Sequence, residues 1–337
     1  MREENGPVTK IGVGPSKTNY LETDCDSAVF RNCIFEYIDG KALTLRGSHY
    51  SIVENCYFHH INWSGKESVA LRTQKAKYTT MRYITIDQNI SGGGFFPSSH
   101  NIVDHCLISN IYSRRDAAGL QINQGQVEPI VRYTWVMDAP YVNGIRFDGD
   151  PGGVLRRMHH TLSIRTSRGY RLKGDQHQVH HITGMESARH DISLPDYKFY
   201  GYWNPETGEA TTDPSLGWPR ATNLGEDSVF NIPLSGNLNT AHRNSIAAGA
   251  YECDRPTFIG CNEETNEEWG LWHGTLRGEN IGYELSSPSH YDYRPKKGSA
   301  LIDAGVVIEG VNDGQDGSRK YIGDAPDIGT YEYGDNV

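Results

Sequence analysis

The chain has 337 residues, only 36% hydrophobic and 22% charged, with 37 Gly, 20 Tyr, 6 Trp and a mean hydropathy of −0.60. That profile of turns and polar aromatics excludes helix bundles and coiled coils, and it fits one elongated core better than several compact ones. A formal charge of −10 argues against nucleic acid as a partner, and no apolar run approaches the roughly 20 residues of a membrane span.

The first residues, Met1 to Pro7, contain no apolar stretch of the signal-peptide kind. Coil-like strings begin soon afterwards with no capping segment ahead of them, so the chain is expected to be the later part of a longer protein. Ala42-Leu43-Thr44-Leu45-Arg46 and Ser68-Val69-Ala70-Leu71-Arg72 lie 26 residues apart, and Gly94-Phe95-Phe96 precedes Gly119 by 25. Gly119-Leu120-Gln121-Ile122-Asn123, Gly144-Ile145-Arg146-Phe147-Asp148 and Gly169-Tyr170-Arg171-Leu172-Lys173 then begin 25 residues apart twice over. A second strand type recurs at Tyr50 to Cys56, Asn101 to Cys106 and Gln178 to Ile182.

No unit has room for a crossover helix, so each reads as short alternating strands joined by Gly, Asn and Ser turns. A strand-only repeat of this length predicts one coil of a parallel β-helix, with coils stacked about 4.8 Å apart. Residues 1–186 are assigned to coils, 187–285 to a loop-rich aromatic insertion on the helix flank, and 286–337 to a C-terminal tail. Cys33, Cys56 and Cys106 recur in one strand type and read as core positions; Cys253 and Cys261 could bridge in an oxidising compartment.

The coils, together with the tail from Tyr291-Asp292-Tyr293-Arg294-Pro295 through Gly298-Ser299-Ala300-Leu301-Ile302-Asp303 to Ile328-Gly329-Thr330-Tyr331-Glu332-Tyr333, resemble right-handed parallel β-helix proteins of the pectin-lyase-like superfamily. That resemblance implies an all-β fold, a secreted or periplasmic location and a polysaccharide substrate. The polygalacturonase marks of this group (Asn-Thr-Asp, paired Asp-Asp, Gly-His-Gly) are absent, although Arg171-Leu172-Lys173 is similar to its Arg-Ile-Lys segment. The calcium-binding glutamates of the alginate and chondroitin lyases and the Asp-Pro-His-Asp of the epimerases are absent too, which places the chain on a divergent branch.

Strand alternation turns Ile145, Phe147, Tyr170 and Leu172 inward and Arg146, Asp148, Arg171 and Lys173 outward. Stacking by one coil then forms three columns: Gln121, Arg146 and Arg171; Asn123, Asp148 and Lys173; Asp150 and Asp175. An Asp148–Lys173 pair on a solvated ladder would be worth at most about 1 kcal/mol. Stacking Arg146 on Arg171 and Asp150 on Asp175 sets like charges about 5 Å apart, a cost that points to a functional face.

Two carboxyl groups suit glycoside hydrolysis. Asp148 and Asp175 would lie roughly 8 Å apart, in the inverting range, whereas Asp150 over Asp175 at about 5 Å would favour retention. The reading is therefore a glycoside hydrolase using Asp148 with Asp150 or Asp175. Its enzyme rival is a polysaccharide lyase using Lys173 or an arginine as base, and its non-enzymatic rival is a glycan-binding β-helix. Arg46, Arg72, Arg146, Arg171 and Lys173 on an otherwise acidic chain suggest an anionic glycan, uronate or sulfated, with Gln121, Asn123 and His177 as further substrate contacts. Trp203, within the aromatic 187–285 segment, would stack on a sugar face.

The His59-His60, His159-His160 and His180-His181 pairs are adjacent, and alternation puts the two rings of a pair on opposite sides, where they cannot chelate one metal. His177 and His180, close to Asp175, are kept as substrate or acid/base partners. The Asp313-Gly314-Gln315-Asp316-Gly317 string lacks the final glutamate of a calcium loop, so no metal and no cofactor are assigned.

Overall fold

The computed structural model describes residues 10–11, 21–23, 25–63, 68–90, 92–113, 116–123, 125–148, 156–172, 177–194, 198–204, 209–211, 218–222, 241–243, 246–247, 251–253, 276–277, 285–305, 307, 312–314 and 321–335. Short strands pair in parallel with their counterparts one coil away, which produces a three-sided β-solenoid.

The front sheet contains Leu43–Arg46, Ser68–Gln74, Gly92–Phe96, Ala118–Ile122 and the later parts of Trp135–Phe147 and Arg157–Leu172. Its register runs Leu43 to Leu71, Leu71 to Phe95, Phe95 to Leu120, Leu120 to Ile145 and Ile145 to Tyr170. The flank sheet contains Val29–Arg31, Ile52–Glu54, Thr80–Arg82, Ile102–Asp104 and Ile130–Arg132. The back sheet starts at Ile34–Glu36 and continues through Tyr57–Ile61, Thr85–Asn89 and Leu107–Ile111. Among the described residues no helix is long and apolar enough to cross a membrane.

Alternation explains the core. Phe30, Val53, Met81, Val103 and Val131 stack inward from the flank sheet and are fully buried, as are the front-sheet residues named above. Each large apolar side chain buried this way contributes about 1.5–3 kcal/mol. Cys33, Cys56 and Cys106 sit in the same core, each 3% exposed and each a free thiol. Burial pushes the Cys56 thiol up to about 11 and the Cys106 thiol up to about 12.

The corners are where alternation stops. Between flank and back sheets, Asn32, Asn55, Tyr83, His105, Tyr133, His160 and His181 all have φ between 46° and 57°. A second left-handed column follows the back sheet at Tyr37, His60, Gln88, Asn110, Asp138, Arg165 and Glu186. Asn tolerates this region through local hydrogen bonding. The aromatic residues there gain ring stacking between coils, as in Tyr83–His105 at 5.3 Å, His105–Tyr133 at 4.7 Å and Tyr133–His160 at 4.9 Å.

Glycine marks the entry to the front sheet, for a packing reason. A Cβ on Gly144 would lie 2.0 Å from Ser163 Oγ and 2.6 Å from the Gly169 carbonyl oxygen. Two coils earlier, a Cβ on Gly94 would lie 2.6 Å from the Gly119 carbonyl oxygen. The 25-residue spacing of these glycines is thus the footprint of chain passing close over chain.

Charge is also in register. The outward residues Arg31, Glu54, Arg82, Asp104 and Arg132 stack in that order along the flank sheet. Glu54 meets Arg31 at 3.0 Å and Arg82 at 2.9 Å, and Arg132 meets Asp104 at 3.1 Å. An offset of one coil would place like charges together, so the ladder favours a single stacking order.

The 187–285 segment differs from the expected insertion. Parallel pairing does not stop at residue 186: His190–Leu194 pairs with Arg157–Leu172, Ala241–Arg243 and Ile246–Ala247 pair with Gln178–Met185, and Tyr251–Cys253 pairs with His190–Leu194. Parallel pairing with the coils therefore extends to these described strands of the segment. What interrupts the coils is a three-stranded antiparallel sheet of Lys198–Asn204, Glu209–Thr211 and Trp218–Thr222. The aromatic composition conceals the continuation because strands of two or three residues are too short to show periodicity. The proposed Cys253–Cys261 bridge lies outside the described residues.

In the tail, Leu285–Ser287 pairs antiparallel with Asp292–Pro295. Leu285, Tyr293, Leu301 and Ile328 form a second core with Met137, Leu162, Ile164 and Met185. Trp135 contacts Tyr293 and Tyr331 edge to face, and Thr330 Oγ1 donates to the Thr161 carbonyl at 2.7 Å. The back sheet can accept the tail here because its outward positions change from Tyr57 and Thr85 to Leu107, Trp135 and Leu162 along the register.

Candidate functional site

The polar column of the front sheet is real as a register: Gln121 pairs with Arg146 and Arg146 with Arg171. Arg72 extends it four coils away, in register with Thr44 on one side and Phe96 on the other. Ile145, Phe147, Tyr170 and Leu172 point inward as alternation requires.

The outward side chains of this face are largely shielded. Gln121, Arg146 and Asp148 are only 8%, 6% and 7% exposed. Arg146 Nε donates to Asp148 Oδ1 at 2.7 Å, and Arg146 Nη1 donates to Asp116 Oδ1. Gln121 Nε2 donates to Asp148 Oδ2 at 2.9 Å and to Asn123 Oδ1 at 2.8 Å. Burial works against the Arg146 charge, but Asp148 and Asp116 outweigh it and hold its pKa above the ordinary arginine value.

These contacts account for much of the apparent cost of stacking Arg146 on Arg171. Asp148 and Asp116 neutralise the first arginine, while Arg171 remains half-buried on the same column. Asp116 was invisible in the periodicity because it lies in the turn before Ala118–Ile122, outside the strand pattern. Gln121 Oε1 is buried with no donor among the described residues, so this cluster has one acceptor to spare.

Arg72 is half-buried at the other end of the column. Burial, and then the charge of Arg46, draws its pKa below the ordinary arginine value. Neither Arg72 nor Arg171 meets a carboxylate among the described residues.

His177 does not belong to this face. It is 1% exposed, accepts from the Arg156 backbone N–H at 3.3 Å and meets the Phe147 ring edge-on at 5.1 Å. Alternation counted from Arg171 would turn it outward, but the strand ends at Leu172 and the next begins at Gln178, so parity is not carried across. Asp150, Lys173 and Asp175 lie outside the described residues. Trp203 is placed by its backbone, paired with Ala210 and Trp218 in the antiparallel sheet.

The adjacent histidines also depart from alternation. His60, His160 and His181 each take a left-handed corner conformation, which swings the second ring of each pair back beside the first. The Nδ1 atoms then lie 3.1 Å apart in His59–His60, 3.0 Å in His159–His160 and 2.9 Å in His180–His181. Burial, followed by the Arg132 charge, lowers His159 to about 4.

A separate groove of about 770 Å³ lies between the corner at Tyr83, His105 and Tyr133 and the tail at Ile322, Tyr331 and Asp335. It opens at the flank–back corner rather than on the arginine column.

Comparison with known proteins agrees with this architecture. A family model described as a right-handed beta helix region matches residues 20–153. Among solved structures, pectate lyase Pel9A superposes with a TM-score of 0.52 at 15% identity, over 89% of this chain and 69% of that one. No curated protein matches the chain. The fold is a right-handed parallel β-helix of the kind that the repeat and the tail predict.

Proposed function

We propose that the protein acts on an anionic, uronate-bearing polysaccharide laid along the arginine column, and that it cleaves by β-elimination. The observation that carries this reading is the division of labour between stacked arginines. Arg146 is neutralised by Asp148 and Asp116, while Arg171 and Arg72 are left without a carboxylate among the described residues. Half-buried cations of this kind suit the carboxylate of a uronate, whose neutralisation acidifies the adjacent C–H.

In such a reaction a base removes the proton next to the carboxylate and the glycosidic C–O bond breaks, leaving a C=C double bond on one product. Arg171 would hold the carboxylate, and Lys173, two residues on, is the candidate base. A pectate lyase with the same fold is consistent with this class of chemistry.

The hydrolase alternative rests on Asp148 with Asp150 or Asp175. Both Asp148 oxygens already accept hydrogen bonds, from Arg146 and Gln121, so neither is aimed at a leaving-group oxygen. Hydrolysis would then fall to Asp150 and Asp175 as the carboxyl pair.

Incubation with uronate and sulfated polysaccharides distinguishes the two, following absorbance near about 235 nm for the unsaturated uronate beside reducing-end release. Both signals should rise, and Arg171→Ala should lower turnover by at least about 100-fold. Reducing ends without new absorbance would overturn elimination in favour of the aspartates; binding with neither signal would favour a glycan-binding module.

A further inference from the structure

Four histidine rings meet at the corner between the flank and back sheets, well away from the arginine column. The register sets His159 against His180, and the corner conformation places His160 and His181 beside them. His159 stacks on His180 at 5.1 Å and 8°, and His160 on His181 at 4.7 Å and 6°. Within each coil the two rings are perpendicular, at 87° and 89°. His160, His180 and His181 are 5%, 7% and 1% exposed, and each offers a ring nitrogen within 4.8 Å of the other two.

We propose that His160, His180 and His181 form a structural binding site for a divalent ion of the zinc class, cross-linking two consecutive coils beneath the tail. Three features point there. First, imidazole nitrogens are the ligands that late first-row divalent metals prefer. Second, two nitrogens each about 2.0–2.1 Å from one zinc, at angles of 90–109°, lie about 2.9–3.4 Å apart. The His180–His181 Nδ1 separation is 2.9 Å. Third, Asn312 from the tail lies 3.4 Å from His181 Nε2, so the site is roofed by a residue that can orient a ligand ring.

The pair at His59–His60 supplies the internal comparison. Its Nδ1 atoms are 3.1 Å apart, but its corner neighbours are Tyr37 on one coil and Gln88 on the other, and both rings are only half-buried. It has two ring nitrogens side by side and, among the described residues, no third histidine stacked on them. Two imidazoles at such a site bind zinc weakly, whereas a third from the adjacent coil, with its ring nitrogen within 4.8 Å of the other two, would complete a chelate once the rings turn toward the ion.

The alternative is a purely hydrogen-bonded histidine stack, in which one Nδ1–H of each pair donates to the other Nδ1. Such a stack would need no metal and would gain no stability from one.

The test uses the full chain, stripped with a chelator and dialysed. Zinc alone is titrated by calorimetry, bound metal is counted by elemental analysis, and the thermal midpoint is read with and without zinc. Expected are about one zinc per chain at micromolar or tighter affinity and a midpoint raised by several degrees. His180→Gln and His181→Gln should each weaken binding by at least about 100-fold, while His60→Gln leaves it unchanged. Should those variants fold poorly by circular dichroism, the wild-type chain loaded with cobalt carries the test, since a tetrahedral nitrogen site gives visible d–d absorption that zinc displaces. Wild-type chain showing no saturable binding, the same midpoint with and without zinc, or equal loss in His60→Gln would overturn the proposal in favour of the hydrogen-bonded stack or adventitious surface imidazoles.

Discussion

The Arg146–Asp148 pair is the sharpest test of how the polar column is held. Its side chains are 7% and 9% exposed and joined by a 2.7 Å hydrogen bond, so it belongs with buried rather than surface ion pairs. Removing one partner of a buried pair costs about 3–5 kcal/mol because the other is left uncompensated. Here the cost is moderated, since Arg146 keeps Asp116, whose side chain is 77% exposed, and Asp148 keeps the Gln121 amide. We expect Asp148→Asn and Arg146→Gln each to lower unfolding free energy by about 2–3 kcal/mol. The double variant should lose clearly less than the sum, with a coupling energy of about 1.5–2 kcal/mol. Urea unfolding of the four proteins at one pH, with slopes checked for equality, measures it. A coupling below about 0.5 kcal/mol, the value of an exposed pair, would refute a buried pair and return Asp148 to the pool of free carboxylates.

Gly144→Ala should destabilise by at least about 2–3 kcal/mol, because the new Cβ meets the Gly169 carbonyl oxygen at 2.6 Å and backbone cannot move as a side chain can. Gly47→Ala has nothing within 4 Å and costs only its φ of 68°, about 1 kcal/mol; thermal midpoints compare the two. Arg294 holds the Asp292 carboxyl below its ordinary value, mainly through their hydrogen bonds. Because the folded pKa is depressed, this contribution is full above about pH 4 and is lost as pH falls further. Asp292→Asn should therefore flatten the acid limb of a stability-against-pH curve, and an unchanged limb would show the pair is inert. With its thiol pushed up to about 12, Cys106 should resist iodoacetamide in the native chain at pH 8 and react in denaturant, which peptide mass analysis reports.

How much of this was legible in the sequence depends on what sets each feature. The coils were legible because glycine recurs wherever one chain crosses closely over the next, as at Gly119, Gly144 and Gly169, and because inward residues such as Leu120, Ile145 and Tyr170 keep one parity. The arginine column followed from the same parity. What failed was parity carried through corners: His177 turned inward across a break between strands, and the second histidine of each pair adopted a positive φ. Those corner residues are Asn, Tyr, His, Gln, Asp, Arg and Glu, with no glycine among them to betray the left-handed turn. Asp116 was missed for a related reason, since it reaches Arg146 from a turn across 30 residues of sequence.

The spacing of the uncompensated arginines makes a prediction about substrate length. From Arg72 the register passes to Phe96, then along the column through Gln121 and Arg146 to Arg171, four coil steps in all, or about 19 Å. A single sugar can meet only one of these cations, whereas an oligomer running along the solenoid axis can meet both. If remote contacts contribute to the transition state, kcat/KM should climb with oligosaccharide length until the chain spans both arginines and then level off. Arg72→Ala should remove the gain for long oligomers and leave short ones unaffected, because a short substrate held at Arg171 never reaches residue 72. That pattern is read from kcat/KM on a size-fractionated series of uronate oligomers. A uniform loss at every length would mean that Arg72 acts through the fold or the general field of the face, and an unchanged series would place the substrate across the column instead of along it.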